Sequence, residues 1–537
     1  MLNLPIRKLG QFGVITEANP YDLPINAVSK ANNVRFVDGK IVRSNVFRSI
    51  LNTTASTPVF TAAIKSTNDF DKIIVADRNG FVYTVLNGAE TDVSETTWTS
   101  SVSDAKYTYT YMQGVAYLNR SDRVPWHLHA SSTDFAKLTG WSTQWRCESL
   151  RAFKDYLIAL NVTKNTTAYP TMVKWSDIAQ YGNTPASWDE TDPTISAGEN
   201  VLGDMKSPII DGITLRDVFV VYSSDQIWLM EETGNSDVFR FRRAFDGLGL
   251  MSQNCAVEVE GKHYVFGKND IYVHDGSSFQ SLVSGSVRRY IFDNLNYNKF
   301  GACYVLHNPI QSEVLFAYVS GDEDAGFKST TYANRGAIYN YTSQTWTFVD
   351  LPNVGMMSIA DISVAKIYSD ATGTWDGFGG TWYNQEAAGR KVIFAVSPAS
   401  SADGLTASRL YGYEQNSNGI LPYSVTTQAN KTSLIERVGI DLDETGEEIR
   451  SYKVMTSIYP QLHVQNPDQT VNFKFAGVTF PDVTATFTDA KVFNPNTGYK
   501  VDTREGGRYI AWQMTSTDFY DFELSGFDAS VVSTGRR

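Results

Sequence analysis

Cysteine is nearly absent from this chain: three in 537 residues, Cys147, Cys255 and Cys303, far apart and odd in number. No CxxC pair and no His/Cys spacing of the zinc kind accompanies them. Neither a disulfide scaffold nor a structural zinc module is expected, and reduced thiols in a cytosolic folding environment are. Histidine is scarce too, at six residues. His127 and His129 stand at i, i+2 and share one face of a strand, but no third ligand lies near them in sequence, so exposed edge histidines are expected there, and no metal site. Long hydrophobic runs are missing as well. No stretch of about 18 apolar residues occurs, so no membrane span is expected. The opening MLNLPIRKLGQF carries charges inside an apolar stretch too short for a signal peptide.

An excess of positive charge is also lacking. Lys and Arg number 46 against 58 Asp and Glu, a net charge of −12. Gripping nucleic acid takes clustered cations against phosphates, so that role is disfavoured, whereas a like-charged surface past which nucleic acid slides is not. No GxGxxG, P-loop, GxSxG or HExxH pattern occurs. Acidic residues are spread without a singular pair, so carboxylates for glycoside hydrolysis cannot be assigned. No catalytic residue, cofactor or metal is expected, and the chain is read as not an enzyme.

What the sequence has is aromatic and β-branched residues in short runs. Aromatics make up 13% of the chain, hydrophobic residues 42% and charged residues 19%, a globular and β-rich balance. In HYVFGKNDIYVHDGSSFQSL, residues 263–282, three apolar runs are separated by Gly-Lys-Asn and Asp-Gly turns, which reads as antiparallel strands joined by tight hairpins. The same pair of runs recurs at 73–75 with 81–85, 115–118 with 126–128, 156–160 with 172–175, 218–222 with 227–230, 314–318 with 337–341 and 392–396 with 410–413. The steps between successive unit starts are 42, 41, 62, 46, 50 and 78 residues. Most fall near the roughly 40–50 residues of a four-stranded propeller blade. The expected fold is therefore mainly β: a β-propeller of about six or seven blades, with a multi-sandwich β protein as the alternative.

Three domains are expected. Residues 1–48 form an N-terminal arm, irregular over 1–33 because Pro5, Pro20 and Pro24 interrupt it, followed by a hairpin with an Asp38-Gly39 turn. That hairpin is either the outer part of the first blade or the strand that closes the ring. Residues 49–423 form the propeller. They carry a helical insertion at 284–296, with Ser286 as N-cap and Val287, Tyr290, Ile291 and Leu295 on one face, and a Gly/Trp loop at 369–390. Residues 424–537 alternate more strictly and read as a compact antiparallel sandwich, with strands at 449–460, 471–475, 483–487 and 509–514 and turns at 494–498 and Gly506-Gly507.

Local likenesses to functional motifs fail on inspection. SDATGTW at 369–375 is a near miss of the sialidase Asp-box. AIYNYTSQTWTFV at 337–349 is similar to one kelch blade without its Gly-Gly doublet. DLDETG at 441–446 begins like an EF-hand loop, but Tyr452 stands where its last ligand, Glu, is needed. The Gly/Trp loop is different, because a blade does not require it. Gly373, Gly377, Gly379 and Gly380 permit unusual backbone, and Trp375, Phe378 and Trp382 offer contact area, so these seven residues are the candidate inter-subunit or channel loop.

Three stretches carry a family resemblance: ANNVRFVDGKIVRSNVF at 31–47; the segments GLGLMSQN, HYVFGKNDIYVHDG and SVRRYIFDNLN within 245–296; and the closing LSGFD with its terminal GRR. They resemble the tail hub or nozzle proteins of short-tailed bacteriophages, sometimes described as DNA-stabilisation proteins. The resemblance implies a structural virion protein assembled in the host cytoplasm. It further implies that six propeller-bearing subunits form a ring below the portal, close the filled capsid and guide genomic DNA out without sequence-specific binding. It also implies docking to a portal or adaptor protein and to tail fibres or spikes, and it transfers no catalytic residue. The alternative function is a carbohydrate-binding or glycan-processing β-propeller.

The cysteine reading is directly measurable. Thiol titration of the denatured, unreduced chain is expected to count three, and a count of one would reveal a disulfide.

Overall fold

The structure, a computed structural model, describes residues 2–65, 71–86, 88–234, 237–322, 326–328, 331–363, 389–398, 407–414, 432–441, 451–480 and 484–534. It is mainly β, with one short α-helix, Arg288–Asn294, and one 3-10 segment, Tyr297–Ala302, among those residues. Seven antiparallel sheets of four strands follow one another along the chain at 58–92, 107–137, 145–201, 209–246, 256–281, 304–354 and 356–414, numbered here as sheets 1 to 7. Their first strands are Pro58–Ile64, Tyr107–Met112, Trp145–Phe153, Ile209–Leu215, Ala256–Val259, Tyr304–Asn308 and Met356–Ser363. Each touches the next, and the last touches the first, which is a propeller-like arrangement. Sheet 7 takes its fourth strand from the start of the chain: Val46–Asn52 pairs antiparallel with Arg409–Glu414.

The seven repeated runs are the second strands of these sheets, and their partners lie in or overlap the third. Both strands are covered on both faces by neighbouring sheets, which explains their continuous apolar runs. Phe219, Val220, Val221 and Tyr222, for example, are all fully buried. Between sheets lie separate apolar layers, such as Leu160, Val173, Phe219 and Val221 between sheets 3 and 4. The fourth strands Ala89–Asp92, Ala136–Lys137 and Phe279–Ser281 are largely exposed and polar.

Sheet 6 breaks that rule. Its fourth strand, Thr345–Val354, is buried throughout because the N-terminal segment lies along it. The backbone N–H of Asn33 donates to Phe348 O at 2.8 Å, that of Val14 donates to Trp346 O at 3.0 Å, and the Thr347 hydroxyl donates to Val34 O at 2.7 Å. Asp350 sits at the seam. Its carboxylate accepts from Asn32 Nδ2 (2.8 Å), Asn33 Nδ2 (2.7 Å), Arg335 Nη1 (2.7 Å) and Gly326 N (3.0 Å). A buried ion pair, Arg35 Nε to Glu313 Oε1 at 2.6 Å, reinforces it.

The sandwich is built from both ends of the chain. One sheet holds Val34–Val37, Lys40–Arg43, Phe522–Ser533, Lys453–Val464 and Val501–Gly507, with Leu2–Arg7 added on Phe522–Ser533. The other holds Lys30–Asn32, Ser433–Ile440, Tyr509–Ser516, Val471–Val478 and Lys491–Phe493. Trp512, fully buried, meets Phe527 edge-on at 5.1 Å between them. Residues 1–48 therefore do not stand apart as an arm and hairpin. Leu2–Arg7 is a strand despite Pro5, since only one of its edges is paired and a missing N–H is tolerated there. The Asp38-Gly39 turn forms as expected, with positive φ at both residues (51° and 76°), but its hairpin belongs to the sandwich. Ring closure falls to the next strand.

Three smaller expectations also differ. Residues 484–490 form no strand. Gly506 and Gly507 lie inside a strand instead of a turn, and a Cβ on Gly507 would stand 2.5 Å from Val478 N, so close backbone approach is what requires glycine there. The helix covers Arg288–Asn294 only, and Ser286 does not cap it: its hydroxyl donates to Val283 O. Glu17 accepts at that end instead, from Gly285 N (3.0 Å) and Arg289 N (2.8 Å). All three cysteines are buried and free.

Sheets 4 and 5 are joined by a buried hydrogen-bond chain whose proton positions follow from its ends. Thr214 O can only accept, so His263 Nε2 carries a proton and donates to it at 2.9 Å, leaving Nδ1 to accept from Tyr222 Oη at 2.7 Å. Gly276 N donates to His274 Nδ1, so His274 Nε2 donates to Tyr222 Oη at 2.6 Å. Both imidazoles are neutral in this arrangement, and burial holds His263 down to about 4 and His274 to about 3. A depressed histidine pKa means that the unfolded chain takes up protons which the folded chain refuses. The stability it contributes is complete above about pH 6.5 and is lost as pH falls toward 4, at roughly 1.4 kcal/mol per pH unit per histidine. Calorimetry between pH 7 and 4.5 is expected to show this fall, with a shallower slope in His274→Gln, whose amide retains the donor. Tyr222→Phe strands both partners and is expected to cost about 1–3 kcal/mol, read from the urea midpoint.

Candidate functional site: the axial cavity

First strands of six of the seven sheets line a cavity of about 610 Å³, within the range of small-molecule sites. It is lined by Phe60, Tyr107, Glu148, Ile210, Tyr304 and Met356 from the first strands of sheets 1, 2, 3, 4, 6 and 7, and by Asn254 just before sheet 5. The 3-10 segment Tyr297–Ala302 covers part of it and leaves Phe300 half exposed at its edge. That turn holds its shape locally: the Asn296 side chain accepts from Asn298 N, and Cys303 N donates to Phe300 O at 3.0 Å.

One carboxylate organises this wall. Asp211, in the first strand of sheet 4, is 1% exposed. It accepts from Arg151 Nε (2.8 Å) and Nη2 (2.6 Å), Ser149 Oγ (2.5 Å), Asn254 N (2.9 Å) and Gly212 N (2.8 Å). Arg151 Nη1 reaches Tyr109 O and Asn254 Nδ2 reaches Tyr107 O, each at 3.0 Å, so first strands of sheets 2, 3 and 4 and the entry to sheet 5 are tied together. Burial alone would raise the Asp211 pKa, but Arg151 and the hydrogen bonds outweigh it and hold the group below its usual value.

Two ionisable groups at the cavity are less fully engaged. Lys106 Nζ donates to Cys303 O at 3.3 Å. Protein surrounds it closely enough that burial lowers its pKa, against the opposing pull of Cys255, Cys303, Asp211 and Glu148. Glu148 Oε1 accepts from Gln253 Nε2 at 2.7 Å, and burial raises its pKa. The thiols are poor nucleophiles here: burial pushes Cys303 up to about 12 and Cys255 well above its ordinary value.

None of these residues was singled out by sequence. Lys106, Asn254, Cys255 and Cys303 come just before first strands, Glu148, Ser149 and Arg151 share one, and the partners they meet lie in other sheets, so no local spacing announces the set. Gly373, Trp375, Gly377, Phe378, Gly379, Gly380 and Trp382 lie outside the described residues, as do the Asp-box near miss and residues 442–450 of the EF-hand-like stretch. His127 and His129 do share a face, their rings 4.9 Å apart, but His127 is buried, not exposed, and burial followed by His129 lowers it to about 4. Among the described residues no cluster of three or more His, Cys, Asp or Glu is placed to hold a metal ion, and no helix is long and apolar enough to cross a membrane.

No family model matches the chain, and no curated protein matches it. Among solved structures it is similar to the computationally designed Ika8 protein, with a TM-score of 0.36 and 10% identity over 68% of this chain and 99% of that one. It is also similar to a chain of a mitotic checkpoint complex, with a TM-score of 0.35 and 11% identity over 57% of this chain and 91% of that one. Likenesses this distant carry no argument about what the chain does.

Asp211→Asn leaves the Arg151 guanidinium buried without its counter-charge. The expected loss is about 3 kcal/mol, visible as a lower urea midpoint. An unchanged midpoint would show that the neighbouring amides suffice.

Proposed function

We propose that this chain is a structural subunit, a seven-bladed β-propeller fused to a sandwich. Six copies assemble as a ring of the tail hub or nozzle kind that its sequence resembles. In this reading the ring sits below the portal, closes the filled capsid, passes DNA through its centre and carries fibres or spikes on its outside. The observation that carries the structural part is the seam on sheet 6. There the Asp350 cluster, the Arg35–Glu313 pair and the laid-down N-terminal segment join propeller and sandwich into one body. A subunit that bears load needs such a joint, since a free linker would let its two parts swing. The DNA path belongs to the centre of the ring and not to the propeller axis, because a partly covered volume of about 610 Å³ is the size of a small-molecule pocket. The acidic balance suits a surface along which DNA slides.

Light scattering and electron microscopy test the assembly. A mass near six times 59.7 kDa and a single symmetric ring are expected, and a monomer that persists when mixed with a portal ring would overturn the reading. Deleting Thr372–Trp382 is expected to leave the subunit's melting temperature unchanged while ring assembly or DNA retention fails. A subunit that loses several degrees and still forms rings would make that loop a lid on its own blade.

A further inference from the structure

The axial cavity holds a pair of charges that the fold does not use up. Lys106 has three N–H donors and spends one, on a carbonyl at 3.3 Å. Glu148, on the neighbouring sheet, engages Gln253 and Ser121 and keeps acceptor capacity to spare. Both line the same volume, together with the amides of Gln253, Asn254 and Asn298. Ile210, Met356 and Phe300 add apolar surface that is not fully buried. Burial weakens the charged form of each group, lowering Lys106 and raising Glu148, so a ligand that supplies a counter-charge to the amine and hydroxyls to the carboxyl restores what burial costs them.

We propose that this cavity binds a small hydroxylated carboxylate of the uronic-acid class, with Lys106 on its carboxylate, Glu148 and the amides on its hydroxyls, and the apolar side chains against the C–H face of its ring. The ammonium selects an anion, which a neutral sugar does not offer. Glu148 and the Asn298 amide select hydroxyls, which a simple carboxylate does not offer. The volume, about 610 Å³, admits a monosaccharide or disaccharide and excludes a long polymer lying across it. The site is lined by one subunit alone, so its occupancy is measured separately from ring assembly.

The test uses the full chain with D-glucuronate, D-glucose and acetate as probes, followed by calorimetric titration and saturation-transfer NMR. Saturable glucuronate binding is expected, at least tenfold tighter than glucose or acetate. Lys106→Met is expected to weaken it at least tenfold, and Glu148→Gln to weaken it with its melting temperature unchanged. On the unmodified chain, glucuronate is expected to protect Lys106 from acetylation by a water-soluble succinimidyl ester, read by peptide mass mapping, so the outcome does not depend on either variant folding. Absence of saturable binding overturns the proposal, as does binding that leaves Lys106 acetylation unchanged. Equal affinity for glucose or for acetate overturns the assigned ligand class. None of these results bears on hexamer formation.

Discussion

Closing the circle of sheets with a strand from the far end of the chain is the constraint on which the rest depends. Without its fourth strand, sheet 7 would leave the edge of Arg409–Glu414 unpaired. The strand that pairs with it, Val46–Asn52, is followed directly by the first strand of sheet 1, so everything before residue 46 leaves the circle at the rim of sheet 7, beside sheet 6. The chain also departs sheet 7 there, after Glu414, which pairs with Val46. Both ends thus emerge at one place, and a sandwich made of strands from both ends follows. The burial of Thr345–Val354 follows as well, because the edge next to that exit is the one the N-terminal segment covers.

Packing then makes the two parts one body. A single apolar core runs from Trp512 and Phe527 in the sandwich through Val34 and Phe36 to Phe316, Trp346 and Phe266 in sheets 5 and 6. Charges buried along it are paired: Asp350 takes four hydrogen bonds, and Arg35 and Glu313 meet with side chains 4% and 5% exposed. Buried pairs of this kind contribute little net stability against an apolar filling, but a register shifted by one residue would leave each charge alone at a cost of about 3–5 kcal/mol. They fix where the N-terminal segment lies more than how firmly it is held.

What the sequence revealed follows from which strands are buried on both faces. The second and third strands of all seven sheets read as apolar runs, and their spacing pointed to a propeller. First strands mix axial polar residues with apolar ones, and several fourth strands face water, so neither pattern stood out. The Asp38-Gly39 turn was legible because positive φ at two residues is a local demand. The placement of its hairpin was not, since Leu524 and Ile41, which pair, are separated by most of the chain. The helix was visible through Val287, Ile291 and Leu295, all buried. Its cap was not, because the acceptor is Glu17 and not the adjacent Ser286. The axial residues failed to show for the same reason. A site assembled from residues of several sheets has no signature at short range.

Saturation separates Asp211 from the two charges beside it at the cavity. Asp211 accepts five hydrogen bonds, from sheet 3, from its own strand and from Asn254 just before sheet 5, and has no capacity left for a ligand. Lys106 and Glu148 lie within reach of the same network yet remain underused. Were the axis shaped by stability alone, an apolar residue in place of each would avoid the desolvation both now suffer, and the inner faces already hold many such residues. A lysine and a glutamate kept partly unsatisfied beside an open volume are a liability to folding that a bound anion with hydroxyls would offset. The same reasoning explains why the wall around them is so firmly tied: a pocket discriminates by geometry only if the strands that form it cannot move apart, and the Asp211 network holds sheets 2 to 5 at fixed spacing around it.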